Sequence, residues 1–163
     1  MPADVDESVR AGEAPDLYVR RVAEEKALVV AARAPDRLVL AADTTVVIDD
    51  VMLGKPADDA DAKRMLSLLS GRTHQVFTAV AVYRSGMSRP LTEVERTDVE
   101  FARLTEFEID WYVASGEPHD KAGAYAIQGY ASRFVARING SYSNVVGLPV
   151  ALAYDMLKGV TTL

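Results

Sequence analysis

The sequence predicts a single mixed α/β domain in which helices flank a central twisted sheet. Apolar residues recur at helical spacing over residues 13–33, which indicates one long helix. Residues 75–83 and 91–104 instead show strand-like patterns, and the Ser85-Gly86 turn between them predicts a hairpin. A chain of 163 residues with 49% hydrophobic and 26% charged residues has the size and composition of one folded domain.

The first half of the chain predicts a helix, one or two strands and a second helix. Pro15 suits the first turn of the long helix. Residues 37–48 are rich in apolar and β-branched side chains, so we expect a strand or a pair of strands joined by a turn. Asp58 or Asp59 is a suitable N-cap for a second helix that extends to Leu69.

The second half predicts the hairpin, two more helices and a further strand. In the hairpin we expect Val94, Val99 and Phe101 to point inward. Residues 105–108 form a capping-box pattern that begins a third helix, which ends near Gly116. After it we expect an irregular glycine-rich segment over residues 117–129, a strand over 134–138 and a last helix over 148–157.

Charge and composition exclude several classes of function. The formal net charge of −6 argues against a general nucleic-acid surface, which is normally basic. The chain contains no cysteine, which removes disulfides and thiolate catalysis and is compatible with a reducing compartment, so we expect a cytoplasmic protein. Its acidic start does not fit a signal peptide, and its longest apolar stretch, residues 145–157, contains Gly147, Pro149 and Asp155. We therefore expect no membrane partner.

Four polar residues are candidates for chemistry, and each has an ordinary structural alternative. Asp43 ends an apolar strand, where α/β folds place ligand contacts, but it also suits a turn or cap. Lys55, between Gly54 and Pro56, suits phosphate binding, and its alternative is an exposed loop lysine. Glu7 suits a hard cation or a solvated terminus, and Lys26 lies mid-helix, where pairing with glutamate four residues away is the ordinary role.

Residues 121–129 combine glycines, a lysine and an amide in a stretch without helix or strand character. Such loops let backbone N–H groups approach a ligand, although an ordinary structural loop is about as good an interpretation. His74 and His119 lie far apart and lack metal-ligand spacing, so we interpret both as structural or surface residues.

Six segments of the sequence, taken together in their order and spacing, resemble the pattern of a known family. They are Ala42-Asp43-Thr44, Leu53-Gly54-Lys55-Pro56, Leu69-Ser70-Gly71-Arg72-Thr73-His74-Gln75-Val76, Asp120-Lys121-Ala122-Gly123-Ala124-Tyr125, Ile127-Gln128-Gly129, and Asn139-Gly140-Ser141-Tyr142 with Val146-Gly147-Leu148-Pro149. In this order they resemble the Maf family of nucleoside triphosphate pyrophosphatases over about residues 4–157. The resemblance implies an α/β fold of the Maf and inosine-triphosphatase type.

The resemblance implies hydrolysis between the α- and β-phosphates of a nucleoside triphosphate with Mg²⁺ or Mn²⁺ as cofactor, and a homodimer. Asp43 matches the proposed proton acceptor, and we expect Glu7 and Asp43 to be the metal-binding carboxylates. The implied substrate-binding residues are Lys26, Thr44, Lys55, Lys121 and Gln128. Because an ordinary carboxylate is a weak base near pH 7, whether Asp43 is base, metal ligand or both stays open.

Thr44 and Gln128 are similar to the branch that acts on dTTP and UTP. The branch that prefers 7-methyl-GTP carries Gln and Glu there, so a modified-purine pyrophosphatase is the alternative enzyme. A non-catalytic nucleotide-binding regulator, linked to septum formation through the same resemblance, is the alternative from another class. The first alternative would release a purine monophosphate, and the second would bind a nucleotide without forming a product.

Two departures from the family pattern affect these expectations. Family members begin with a strand and a Ser-x-Ser-Pro-Arg-Arg loop upstream of the segment that matches residues 4–7, and this sequence has no counterpart of them. We therefore expect the sequence to be part of a longer pyrophosphatase. Ala126 stands where the family usually has Gly, which matters only if that residue needs a positive φ.

Overall fold

The computed structural model describes residues 1–161, and its centre is an antiparallel sheet of five strands. The strands are β1 (Val39–Ile48), β2 (Val51–Leu53), β3 (Thr73–Tyr83), β4 (Leu91–Phe101) and β5 (Val135–Asn139), in the order β2-β1-β3-β4-β5. The long hairpin of β3 and β4 is confirmed. Residues 39–48 form one continuous strand, and the turn to β2 uses Asp49 and Asp50 at φ 49° and 62°.

Within residues 1–161, five α-helices accompany the sheet. They are α1 (Pro15–Arg33), α2 (Asp59–Leu69), α3 (Glu106–Ala114), α4 (Tyr142–Val146) and α5 (Val150–Thr161). The capping box of α3 is present, since the Thr105 side chain accepts from the Glu108 N–H and Glu108 accepts from the Thr105 N–H. Short 3₁₀ turns occupy much of residues 117–134. The expected α/β class is confirmed, whereas the short helix α4 was not predicted.

The two faces of the sheet are covered differently. On one face α1 packs through small side chains, including Ala23 and Ala27, against Ala79 and Ala81 of β3. The other helices pack on the opposite face, where a larger core surrounds Phe101. Small side chains let a helix lie close to a strand, so α1 is held near the backbone of the central strands.

The hairpin residues expected to point inward do so, but on two different faces of the sheet. Val94 packs on the α1 face, whereas Val99 and Phe101 belong to the core on the opposite face. Residues an odd number apart on a strand point to opposite faces, so Val94 and Val99 point in opposite directions. Both are inward because both faces of β4 are covered.

Most of strand β1 has a neighbouring strand on one side only. Among the described residues, β2 pairs with Val46, Val47 and Ile48, and the register places Asp43 and Thr44 opposite Ala79 and Thr78 of β3. On the other side of Asp43 and Thr44, in the part of the chain that the structure describes, there is no strand. The site described next lies at this open edge.

Candidate active site

A single pocket at the open edge of β1 brings together every residue predicted from the sequence to bind or act. Its walls come from the N-terminal segment, α1, β1, the loop after β2, residues 120–128 and the α4 region. The predicted residues that line it are Glu7, Lys26, Asp43, Thr44, Lys55, Lys121 and Gln128. Residues separated by more than 100 positions in the chain therefore share one concave surface, as a ligand site requires.

The charged end of the pocket is organised around the ammonium group of Lys26. Its Nζ lies 2.8 Å from Asp43 Oδ1 and 2.7 Å from Glu7 Oε1. Asp43 is only 9% exposed, and within residues 1–161 its second oxygen, Oδ2, has no hydrogen-bond partner. A buried carboxylate oxygen without a partner is costly, so Oδ2 is a candidate acceptor for a group that the ligand brings.

Burial and pairing shift the protonation of these groups in different directions. Burial raises the pKa of Asp43 above its ordinary value, and the hydrogen bond from Lys26 opposes that rise. The same ammonium group holds the pKa of Glu7 below its usual range. Burial lowers the pKa of Lys26, but its hydrogen bonds to Asp43 and Glu7 outweigh this effect and raise the pKa. The pKa of Asp43 is thus raised and the pKa of Glu7 lowered, each from its own ordinary value.

Sequence reasoning missed the residue that anchors the loop carrying Glu7. Arg21 on α1 donates to the backbone carbonyls of Asp6, at 3.3 Å, and Ser8, at 2.9 Å. Its guanidinium also pairs with Glu13 at 2.7 Å, with both side chains less than 15% exposed. The Tyr18 hydroxyl donates to the Glu7 carbonyl at 2.9 Å. Contacts to backbone oxygens leave no signature in residue spacing, so no sequence pattern indicated them.

Two more lysines lie around the pocket. Lys121 Nζ lies 2.7 Å from Asp120 Oδ1, on an exposed surface. Lys55 is exposed, and none of the described carboxylates lies within ion-pair distance of it. The sequence places Lys55 next to Pro56, whose fixed φ limits the conformations of the loop. Lys55 is therefore available to an anionic ligand without breaking an ion pair.

The neutral end of the pocket lies on the other face of β1. Thr44 points away from Asp43, and its Oγ1 lies 2.9 Å from Thr78 Oγ1 on β3. A Cβ placed on Gly147 would lie 3.7 Å from the same oxygen, so the backbone after α4 approaches Thr44 closely. Asn144 is fully buried and donates from Nδ2 to the Val76 carbonyl at 3.1 Å. This end of the pocket is thus held by hydroxyl and amide groups.

The loop over residues 121–129 contributes side chains to the pocket, while several of its backbone donors are already used. Gly123 N–H donates to the Gly54 carbonyl, and Ala126 N–H donates to the Tyr112 hydroxyl. Ala124 and Gly129 N–H groups bond within the loop. The interpretation that this loop presents backbone N–H groups to a ligand is wrong for these four residues, because protein acceptors occupy them.

Close packing explains why the loop needs a glycine at position 123. Gly123 has φ +69°, and a Cβ on it would lie 2.8 Å from Val46 Cγ2 of β1. Ala126 is not among the described residues with positive φ, so its departure from the family glycine carries no backbone strain. The non-glycine residue of this loop in the left-handed region is Ala124, at φ 61°.

Both histidines have the structural or surface positions expected of them. His74 is 1% exposed, and its Nε2 lies 2.8 Å from the Tyr125 hydroxyl. Burial lowers the pKa of His74 to about 4. His119 is exposed and lies 2.7 Å from Asp59. Within residues 1–161 no three His, Cys, Asp or Glu side chains gather as a metal site, and no helix is long and apolar enough to cross a membrane.

Comparison with known proteins identifies the family of the chain. The family model described as Maf-like protein matches residues 1–160. The chain belongs to the Maf family. It is 56% identical to a protein of Anaeromyxobacter dehalogenans named dTTP/UTP pyrophosphatase, over 96% of this chain and 80% of the relative.

Other Maf relatives carry the same name. The chain is 53% identical to the dTTP/UTP pyrophosphatase of Myxococcus xanthus, over 96% of this chain and 78% of the relative. It is 46% identical to that of Syntrophus aciditrophicus, over the whole chain and 80% of the relative. The family resemblance read from the six motifs is confirmed.

Proposed function

We propose that this protein is a nucleoside triphosphate pyrophosphatase that hydrolyses dTTP and UTP to the monophosphate and pyrophosphate. The observation that carries the proposal is a buried carboxylate with one free oxygen, Asp43, in a pocket that three lysines also line. The names of the relatives agree with this activity and supply the two nucleotides.

The charged end of the pocket supplies what the reaction needs. A water molecule adds to the α-phosphorus, the bond from that phosphorus to the α,β-bridging oxygen breaks, and pyrophosphate leaves. Such reactions depend mainly on positioning and charge stabilisation. We assign Lys55 and Lys121 to the phosphates and Lys26 to holding Asp43. Asp43 Oδ2 takes the proton of the attacking water, a role for which its raised pKa is better suited than that of an exposed aspartate.

The residues present fit a magnesium or manganese ion. The Glu7 and Asp43 carboxylates are neighbours, since Glu7 Oε1 lies 2.7 Å and Asp43 Oδ1 lies 2.8 Å from the Lys26 ammonium nitrogen between them, and Asp43 Oδ2 lacks a partner among the described residues. Mg²⁺ is commonly held by one or two carboxylates, with water and substrate phosphates completing its shell. When bound, the ion would neutralise phosphate charge and acidify water. Glu7 and Asp43 would hold it.

The neutral end of the pocket is the part that we assign to the base. Thr44 and Gln128 line the pocket together with apolar side chains such as Ile127 and Val146. A hydroxyl and a carboxamide can pair with the polar edge of a pyrimidine, whereas an anionic phosphate prefers the lysine end. These two residues also separate the pyrimidine interpretation from the 7-methyl-GTP alternative.

A substrate panel tests the proposed function. Purified protein is incubated with dTTP, UTP, CTP, dATP, GTP and 7-methyl-GTP, with Mg²⁺ or Mn²⁺, and pyrophosphate and monophosphate are both quantified. We expect dTTP and UTP to give both products in equal amounts. Faster turnover of 7-methyl-GTP would support the purine alternative, and nucleotide binding by calorimetry without any product would support the regulator.

Two further expectations accompany the proposal. The family resemblance implies a homodimer, which light scattering coupled to size-exclusion chromatography measures directly. A cysteine-free sequence is compatible with a reducing compartment, so we propose a cytoplasmic location. Fractionation of cells that express the tagged protein tests this location.

A further inference from the structure

Three oxygen atoms form a chain behind the neutral end of the pocket. Thr44 Oγ1 lies 2.9 Å from Thr78 Oγ1, and Thr78 Oγ1 lies 3.1 Å from the backbone carbonyl oxygen of Asn144. Thr78 and Asn144 are fully buried, so water cannot supply other partners. Of the three, Thr44 alone lines the pocket.

The direction of each hydrogen bond among these three oxygens follows from the Asn144 carbonyl at one end. A carbonyl oxygen only accepts, so the hydrogen between Thr78 and Asn144 must belong to Thr78. A hydroxyl carries one hydrogen, and Thr78 has then used its own. The hydrogen between the two threonines must therefore come from Thr44. The opposite arrangement would leave the oxygens of Thr78 and Asn144 3.1 Å apart with no hydrogen between them.

This arrangement leaves Thr44 with a fixed polarity toward the pocket. Its hydrogen points to Thr78, so only its lone pairs face a ligand. A group that donates is favoured beside Thr44, and a group that only accepts is repelled. Gln128, by contrast, carries both a donor and an acceptor and adapts by turning its amide.

Pyrimidine bases differ at the atom that such an acceptor would distinguish. Uracil and thymine carry a hydrogen on N3, whereas N3 of cytosine is a bare acceptor. We propose that Thr44, polarised by Thr78, selects uracil and thymine over cytosine by accepting the N3 hydrogen. Thr78 acts as a positioning residue without touching the base. This inference rests on the proposed function, and it names the Thr44 hydroxyl as the group that sets the preference for uracil and thymine.

The unmodified protein supplies the first test. We measure kcat/KM for UTP, CTP and 3-methyl-UTP, in which a methyl group replaces the N3 hydrogen. Loss of the matched hydrogen bond predicts values at least tenfold lower than for UTP, because Thr44 would face a bare acceptor in CTP and a methyl group in 3-methyl-UTP. Equal values for UTP and 3-methyl-UTP would overturn the inference.

Variants of Thr78 supply the second test. Thr78→Val keeps the shape but removes the acceptor of the Thr44 hydrogen, which is then free to turn to the pocket and donate to cytosine N3. The UTP to CTP ratio of kcat/KM should fall about tenfold. Thr78→Ser restores the hydroxyl and should restore the ratio. Thr92→Val is the matched control, because the buried Thr92 hydroxyl has no hydrogen-bond partner among the described residues.

The outcomes separate this inference from the proposed function. If the unmodified protein releases no pyrophosphate from UTP or dTTP, the proposed function fails. If it does so and folded Thr78→Val keeps the original ratio, the selection by Thr44 fails while the function stands. If Thr78→Val does not fold, the comparison of UTP with 3-methyl-UTP decides.

Discussion

Two neighbouring residues of β1, Asp43 and Thr44, face opposite sides of the sheet and belong to environments of opposite character. Asp43 faces α1, where it forms an ion pair with Lys26 at 2.8 Å. Thr44 faces the α4 side, where its hydroxyl contacts Thr78 at 2.9 Å. The strand separates a charged environment from a neutral one over a single residue step.

This difference shows how two adjacent residues at the open edge of one strand can contact opposite ends of one ligand. Alternation along a strand places successive side chains on opposite faces. Here both faces line the pocket, and the pairing of β1 with β2 ends at Val46, before Thr44 and Asp43. We infer that a change on the charged side affects the chemical step, whereas a change on the neutral side affects which nucleotide is bound. The predictions below test that division.

The largest expected effect is that of Asp43→Asn on turnover. The amide keeps the shape but neither accepts a water proton nor carries charge, so we expect kcat for dTTP to fall about 10³-fold. Pyrophosphate release under saturating dTTP measures it. Asp49→Asn is the control, because Asp49 lies on the exposed turn at φ 49°, which asparagine tolerates. Normal turnover by Asp43→Asn would remove the assigned role.

Replacement of Lys26 should lower the rate less and also change its pH dependence. We expect Lys26→Met to lower kcat about 10²-fold. The Lys26 ammonium opposes the burial that raises the pKa of Asp43, so its removal raises that pKa further. If catalysis needs ionised Asp43, activity is then lost at a higher pH on acidification than in the unmodified protein.

The measurement for Lys26 is a profile of kcat from pH 5 to 9. The matched control is Lys63→Met, since Lys63 is exposed and pairs with Asp110 at 2.6 Å on α3. A profile whose acidic limb stays in place would show that the charged side does not act through Asp43.

Gly123 tests whether the loop and β1 must be in close contact. Gly123→Ala places a methyl group 2.8 Å from Val46 in a left-handed backbone. Gly86→Ala shares the positive φ, at +95°, but meets nothing within 4 Å, so it measures the backbone effect alone. We expect Gly123→Ala to lower the free energy of unfolding by about 2 kcal/mol more than Gly86→Ala, measured by urea denaturation. Equal losses of unfolding free energy would mean that the Val46 side chain moves aside without destabilising the protein.

His74, which is buried on the same face of the sheet as Thr44, should resist protonation. Burial lowers the pKa of His74 to about 4, from an ordinary value of 6.5. Between these values the unfolded chain binds a proton that the folded protein excludes, so this contribution to stability is complete above pH 6.5 and is lost as the pH falls toward 4. We expect His74 to account for a loss of about 2 kcal/mol between pH 7 and pH 5.

Comparison with a variant isolates the contribution of His74. Urea unfolding at pH 7 and pH 5 is measured for the unmodified protein and for His74→Gln, whose amide can still reach the Tyr125 hydroxyl. The variant should lose less stability on acidification. His119→Gln is the control for an exposed histidine. An unchanged pH dependence in His74→Gln would show that His74 takes up its proton in the folded state.

The residues of the pocket could be predicted from the sequence because their order and spacing form motifs. Lys55 and Gln128 each lie in a short segment with glycine or proline, where backbone demands restrict the choice of residue, and Asp43 follows an apolar run. The main fold was predictable for a related reason, since long helical and strand periods are unambiguous. The irregular segment over residues 117–134 has no period, so its 3₁₀ turns could not be predicted.

The supporting residues could not be predicted because their partners are backbone atoms or buried neighbours. Arg21 binds carbonyl oxygens of the N-terminal segment, which every residue type carries. Thr78 occupies an inward strand position, where valine would fit the pattern equally well. The face on which Val94 packs could not be predicted, because a strand covered on both sides no longer shows which of its residues share a face.

The smallest expected effect is that of Thr44→Val, and it separates the two sides most sharply. Valine keeps the shape of threonine but removes one neutral hydrogen bond to the base, so we expect KM for UTP to rise about fivefold while kcat changes little. Initial rates over a range of UTP concentrations give both constants. A fall in kcat comparable to that of Asp43→Asn would mean that Thr44 contacts the reacting phosphates. The charged and neutral sides of β1 would then form one catalytic surface, and selection of the base would have to reside in Gln128 and the loop that carries it.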